Sequence, residues 1–510
     1  MASPPPKIRW AIFIALALLA LAVRLPQLGE RPMHTDESVN AYIIGQLLAG
    51  HAFRYDPQDH HGPALAALTL PLVRLEGAKD FSGLTESQLR LSPVLAGTAM
   101  VLLLGAGVEM FGFVACFMAA LLFAFAPLPV YYNRYFIHES LFVTATLGLI
   151  LTGWRAIQNK SSLYAALAGF CAALMLAGKE TAPLHFLAIV IAAFVCQGIQ
   201  PHQKITAGFP SLKMILIGFV FFVFTLVLLF TWFGQNPGVL ADLFRAVPRF
   251  AARAGGEGHA KPFWYYPKLL CDGWSGGIIS GLAMAGAFFV FFTRRGKRPH
   301  EWDFSLADGS LPRPSPRLFL AIYGLVIFAI YCLIPYKTPW LALNFWPAIG
   351  LLAGVAVEWA WFATVKCSAR AVILALVLML GLLMAHDTRL RVFAEPADEN
   401  NPYAYAHTVE DLLGLPARIE ELSRQRNLPQ PRISVIAADA WPLPWYLRKY
   451  SQVGYWQPGQ EPDPADFYIT SLGVAGKMTG ELTNFNPEFF GVRPEVPIIL
   501  WTPMPSKKPL

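Results

Sequence analysis

Apolar residues run along this chain in blocks of roughly 17 to 25, the length an α-helix needs to cross the hydrocarbon core of a bilayer. The blocks fall near residues 8–25, 92–110, 112–130, 139–155, 163–178, 181–199, 212–233, 273–292, 317–334, 341–362 and 369–386. They predict a polytopic α-helical membrane protein with about eleven transmembrane helices. The first block, "IRWAIFIALALLALAV", has no small-x-small cleavage site after it and many further blocks follow, so it reads as a retained helix. Beyond residue 386 the pattern changes. "RISVIAA", "DFYIT" and "VPIILW" have the length and character of strands, while "YAHTVEDLLGLPARIEELSRQR" and "WPLPWYLRKY" read as helical. The chain thus divides into a transmembrane domain over 1–386, with a first outer loop at 26–91, and a small α/β domain over 387–510.

Composition agrees with this pattern. Of the 510 residues, 55% are apolar and 14% charged, which excludes an ordinary soluble enzyme. The net charge of +7 raises the question of nucleic acid, but the cations sit in short connections between apolar blocks. There they report topology, and no nucleic-acid partner is expected. Lys7 and Arg9, Arg155 and Lys160, Lys204 and Lys213, "TRRGKRPH" and "VKCSAR" recur at every second connection, which marks those loops as cytoplasmic. The first outer loop, "YYNRYFIHES", "AGKETAP", the loop 234–272 and "IPYKTPW" then share the opposite side. With an odd number of spans, residues 387–510 join them outside the cytoplasm, in a multi-pass protein of the cell's inner membrane. Cys116, Cys171, Cys196 and Cys332 fall in or at the ends of apolar blocks, and no pair has metal-binding spacing, so no disulfide framework is expected.

The outer connections concentrate the polar chemistry. In "TDESVNAYIIGQLLAG", Val39, Tyr42, Ile43 and Leu47 recur at helical spacing, predicting an interfacial helix with Asp36 and Glu37 at its N-terminus. A lone Asp-Glu pair there also serves simply as a cap and dipole partner. "DHHGP" places His60 and His61 before a Gly-Pro turn and a second interfacial segment, "ALAALTLPLV". "NRYFIHE" spaces Arg134 and His138 to share one face of a helix entering the membrane, with Glu139 next to them. Lys179 and Glu180 stand at the end of the fifth block, and Lys337 at the end of the ninth. Each has an ordinary structural reading, as an ion pair, a solvated flank or a snorkelling side chain. Together they put acids, imidazoles and cations on one side of the bilayer. That suits a substrate with an anionic head and a hydrocarbon tail: cations hold a phosphate, and a carboxylate deprotonates an attacking hydroxyl. In an inverting displacement at an anomeric carbon the base works opposite the departing group, without a covalent intermediate. No nucleotide is needed, and no phosphate-loop or dinucleotide fingerprint is present.

"HTDES", the interfacial helix after it, "DHHGPALAAL", Arg90 in "QLRLSPVLAG" and "NRYFIHES" resemble, in order and sidedness, the GT-C superfamily of integral membrane glycosyltransferases. The branch they are most similar to holds protein O-mannosyltransferases and aminoarabinose transferases, with bacterial and archaeal proteins named as flippase activity-associated; "AADAWPLPWYLRKY" also looks like the tail of that last group. The resemblance extends over most of 8–362. It implies a GT-C fold, a polyprenyl-phosphate-linked sugar as donor, and transfer outside the cytoplasm to a hydroxyl of a protein, lipid or glycan. Asp36 matches the catalytic aspartate, with Glu37 as its partner. Glu139 matches a second outer-loop acid, and Lys337, in "YKTPWLALNFWP", resembles the cation that meets the lipid phosphate. His60, His61, Arg90, Arg134, His138, Lys179 and Glu180 complete the candidate substrate-binding set. The chain departs from the aminoarabinose transferases at "HHGP", where those tend to show a Lys-Pro-Pro turn, so contacts there do not carry over. A divalent metal stays open; Asp36, His60 and His61 are candidate ligands, with His34 nearby in sequence, at a spacing that is a weak metal signal.

Two other functions fit parts of the sequence. A transporter or flippase of lipid-linked saccharides would share the substrate, yet the spans carry few of the mid-membrane charges and none of the internal repeats common in transporters. A non-catalytic scaffold would use the outer domain alone. The basic, aromatic stretch "RAVPRFAARAGGEGHAKPFWYYPKLLCDGW" reads equally as a mobile lid or as an interfacial aromatic belt.

Overall fold

The computed structural model of the chain describes residues 4–58, 60–199, 210–256, 258–292, 316–478 and 482–504. The cationic cluster 293–300 and Lys204, used above for sidedness, lie outside the described residues. The chain is a polytopic, mostly helical membrane protein with a small C-terminal sheet. Eight helices are long and apolar enough to cross a membrane among the described residues: Pro6–Arg24, Glu86–Ala106, Glu139–Asn159, Leu212–Phe230, Gly273–Phe292, Pro316–Leu333, Pro339–Ala363 and Cys367–Ala394. The other three expected positions hold apolar helices that fall short by the same measure: Phe113–Phe125, Ser162–Gly178 and Ala182–Gly198. The block read as 112–130 is interrupted because Pro127 follows Ala126. A residue before proline is pushed out of the helical region, and Ala126 is extended, at φ −69° and ψ 145°.

Two compact units emerge. The first holds Met1–Pro26, Ala52–Thr69 and Arg90–Ala394. Within it, Ser162–Gly178 packs between Glu139–Asn159 and Leu212–Phe230, and Trp346–Ala363 packs against both Gly273–Phe292 and Phe113–Phe125. The second holds Gln27–His51, Leu70–Leu89 and Glu395–Leu510, so part of the segment between the first two spans folds with the C-terminal residues. Its five strands are β1 (Ile433–Ile436), β2 (Val453–Trp456), β3 (Phe467–Ser471), β4 (Phe485–Arg493) and β5 (Val496–Pro503), in the order β2-β1-β3-β5-β4. β1 is parallel to β2 and β3, while β5 is antiparallel to β3 and β4. The three expected strands are present; β2 and β4 are additional edge strands, short in one case and carrying exposed Asn486 and Pro487 in the other. "WPLPWYLRKY" forms only the short helix Leu443–Tyr446.

The helix Thr35–Leu48 is fastened within this unit by aromatic rings. Tyr42 meets Phe81 and Trp441 edge-on at 5.8 and 6.0 Å, and Phe81 meets Trp445 at 5.9 Å. The Trp445 indole N–H donates to Glu86 at 2.8 Å, and the Arg448 guanidinium donates to the Leu84 carbonyl at 3.1 Å. Each aromatic pair adds about 0.5–1.5 kcal/mol beyond area burial.

Candidate active site

In the second unit the site residues are set by one helix start. His34 is the N-cap of Thr35–Leu48, with an extended backbone at φ −73° and ψ 159°. Its Nδ1 accepts the Asp36 backbone N–H at 3.0 Å, and the Glu37 carboxylate reaches back to accept the His34 N–H at 3.1 Å. This reciprocal box satisfies two of the amide donors that a helix start leaves open. The cap is therefore His34, and Asp36 does not serve as one. Glu37 is fully buried and also lies 3.6 Å from the Arg31 guanidinium. Asp36, one position earlier, is half-buried. Among the described residues no hydrogen bond or ion pair reaches its carboxylate, and only its backbone N–H is engaged. Burial lowers the pKa of His34, against the pull of Asp36 and Glu37, which favours the neutral ring that the cap requires.

The first unit holds a different arrangement, in which the acids are taken. His61 Nδ1 lies 2.6 Å from one Glu180 oxygen, and the Tyr55 hydroxyl donates to the other at 2.8 Å. Burial raises the Glu180 pKa, but the His61 ring and these hydrogen bonds outweigh it and hold the carboxyl well below the usual range. The glycine of "HHGP" makes this possible: a Cβ on Gly62 would lie 2.4 Å from the Ala177 carbonyl, so only glycine lets the turn close on the end of Ser162–Gly178. His138 meets His61 edge-on at 5.1 Å and is held neutral, its pKa lowered chiefly by burial. Next to it the buried pair Glu139 and Lys179 is in direct contact. His60 turns to the Arg54 carbonyl at 2.7 Å, between the rings of Phe53 and Tyr55.

Arg134 and His138 do not share a helical face. The helix Pro127–Tyr132 ends before Arg134, a new one begins at Glu139, and every side chain from 126 to 140 is buried. A segment buried on all sides is placed by its contacts rather than by an amphipathic period. Arg134 donates to the carbonyls of Arg24 and Pro26 at 2.7 and 2.5 Å, closing the C-terminal end of Pro6–Arg24, and lies over the Phe393 ring at 4.6 Å. Asn133 accepts from Arg24 at 3.0 and 3.1 Å in space that Gly97 leaves free, since a Cβ there would meet Asn133 Oδ1 at 2.3 Å. Arg90 is buried inside Glu86–Ala106. Lys337 is also buried; its ammonium donates to the Lys261 carbonyl at 3.2 Å and to that of Ile334, and burial lowers its pKa.

Several members of these networks carry no sequence signal. Tyr55 and Tyr405 are single residues far in sequence from their partners Glu180 and His34. His185, buried between the hydroxyls of Tyr323 at 2.8 Å and Tyr331 at 3.2 Å, reads in sequence as an isolated histidine in an apolar block. Among the described residues no group of three or more His, Cys, Asp or Glu could hold a metal ion. Two of the three candidates, His60 and His61, already face the Arg54 carbonyl and Glu180.

Packed apolar spans and a small C-terminal sheet define a polytopic membrane protein. Residues 75–228 match the family model described as dolichyl-phosphate-mannose-protein mannosyltransferase. Among solved structures, the chain is similar to ArnT from Cupriavidus metallidurans bound to undecaprenyl phosphate, at 15% identity over 96% of this chain and 97% of that one, with a TM-score of 0.63. It is also similar to the Archaeoglobus fulgidus oligosaccharyltransferase tethered to an acceptor peptide (13% identity, 88% and 64% covered, TM-score 0.54). The archaeal oligosaccharyltransferase AglB from Archaeoglobus fulgidus, with an inhibitory peptide and a dolichol-phosphate, gives 13% identity, 98% and 75% covered, and a TM-score of 0.53. No curated protein sequence matches the chain. These likenesses show that the chain shares the fold of these membrane proteins.

Proposed function

We propose that the protein transfers a sugar from a polyprenyl-phosphate carrier to an acceptor hydroxyl on the extracytoplasmic face, by inverting displacement with Asp36 as general base. The observation that carries this reading is the contrast within "HTDES". Glu37 is consumed by the helix cap and Arg31, while the adjacent Asp36 carboxylate is half-buried and makes no hydrogen bond or ion pair among the described residues. A base must have a lone pair free to take a proton and a fixed position from which to take it. The carboxylate accepts the hydroxyl proton as the acceptor oxygen bonds to the anomeric carbon, and the bond from that carbon to the phosphate oxygen breaks. The carrier leaves as a phosphate monoester, so it needs a cation rather than a general acid.

Lys337 is proposed for that phosphate. Its ammonium has three donors, and two go to carbonyls. Arg90 is proposed as a second cation. The remaining candidates, His60, His61, Arg134, His138, Glu139, Lys179 and Glu180, are proposed to line the substrate's surroundings, with those already bonded to one another forming its fixed frame. The solved structures with undecaprenyl phosphate and dolichol-phosphate support a lipid-phosphate donor through the shared fold alone. The test is sugar transfer by the full chain in detergent or liposomes with a polyprenyl-phosphate sugar. Asp36→Asn should lose transfer by about 100-fold or more while folding normally, and retained transfer would remove the base. Lys337→Ala should raise the donor KM, and an unchanged KM would assign Lys337 to the backbone contacts alone.

A further inference from the structure

Within the second unit, residues of the C-terminal part grip the two residues that precede the helix of Asp36. The Met33 backbone is held at both ends. Its N–H donates to the Tyr446 hydroxyl at 2.9 Å, and its carbonyl accepts the Thr408 hydroxyl at 2.6 Å. His34 is then held at both ring nitrogens. Nδ1 accepts from the Asp36 amide, which can only donate, so in the neutral ring the proton is on Nε2. Nε2 donates in turn to the Tyr405 carbonyl at 3.1 Å, and the His407 ring stands edge-on to His34 at 5.6 Å.

Ala406, between those two residues, has a left-handed backbone at φ 47°. That conformation costs an alanine about 1–2 kcal/mol, and it persists where surrounding contacts over-determine it. Here the kink brings the carbonyl of Tyr405 and the ring of His407 onto one imidazole. His34, Thr408 and Tyr446 touch no reacting atom in this reading. They fix the backbone from which Asp36 projects.

We propose that residues 405–408 and Tyr446 form a strap that positions the general base through His34, making His34 a positioning residue and the C-terminal unit part of the catalytic machinery. This rests on the assignment of Asp36 as base. A displacement of about 1 Å at a catalytic group costs up to about 100-fold in rate, so the strap acts on kcat and leaves donor binding alone.

The experiment compares wild type, Asp36→Asn, His34→Ala, His34→Asn, His34→Gln and Thr408→Val as full chains in one transfer assay, each corrected for folded fraction by size-exclusion profile. Asparagine keeps an acceptor where Nδ1 stood, and glutamine keeps a donor where Nε2 stood. His34→Ala should lower kcat by about 10- to 100-fold with donor KM within about twofold; His34→Asn should restore most of it, and His34→Gln less. Thr408→Val should lower kcat several-fold, and it carries the test if His34→Ala does not fold. A kcat within twofold of wild type in Thr408→Val and in whichever His34 variants fold overturns the strap. So does a parallel change in kcat and KM. If Asp36→Asn is as active as wild type, the base assignment fails instead, which separates the two.

Discussion

Two acidic groups in this protein have opposite fates. In the second unit the pair Asp36 and Glu37 is divided: one acid builds the helix cap, while among the described residues no hydrogen bond or ion pair reaches the carboxylate of the other. In the first unit Glu139 is paired with Lys179 and Glu180 with His61 and Tyr55, so both acids are spent on structure. A carboxylate whose lone pairs are already committed is a poor base and a good strut. Richness in polar residues therefore does not by itself locate the chemistry; the proposed function places it at Asp36, whose backbone N–H is held by the cap.

Substitutions that break the frame should therefore read out as stability. The largest loss is expected for Lys179→Met, which strands the buried Glu139 carboxylate; breaking such a pair costs about 3–5 kcal/mol. Unfolding by heat or SDS titration checks this, and a stability equal to wild type would mean that Glu139 takes up its proton or finds another donor. Glu180→Gln removes the charge that His61 and Tyr55 share and should cost less, about 1–3 kcal/mol. The two histidines held neutral, His34 in one unit and His138 in the other, give a pH test. Their folded pKa values lie below the ordinary 6.5, so the unfolded chain binds protons first. Their stabilisation is present above pH 6.5 and is lost as pH falls through the folded pKa. The melting temperature should decline on acidification from about pH 7 to pH 5, with a shallower slope in His138→Asn; an unchanged slope would assign the decline to other groups. The smallest effect is expected for Ala406→Gly, which relieves the left-handed backbone and should change stability by no more than about 1 kcal/mol.

Much of the architecture was legible as hydrophobic length, because a bilayer imposes one dimension on every span. The exceptions are instructive. A proline cut the block at 112–130, and edge strands β2 and β4 were hidden by their brevity and polar residues. At the candidate site, Asp36 and Glu37 were visible as a helix start, and their division of labour was not, because it depends on His34 capping in place of Asp36 and on Arg31 reaching Glu37. The spacing of Arg134 and His138 pointed to a helical face, whereas a fully buried segment obeys its long-range bonds to Arg24 and Pro26. Tyr405, about 370 residues from His34 in sequence, has no local pattern to announce it, since a backbone carbonyl is the same in every residue.

The most direct measurement is a single-turnover transfer assay with a polyprenyl-phosphate sugar, comparing Asp36→Asn with Glu37→Gln at equal folded protein. The expected result is that Asp36→Asn is silent at the chemical step while still binding donor, and that Glu37→Gln is slowed and destabilised yet active. Transfer at the wild-type rate by Asp36→Asn, or abolition only in Glu37→Gln, would contradict it.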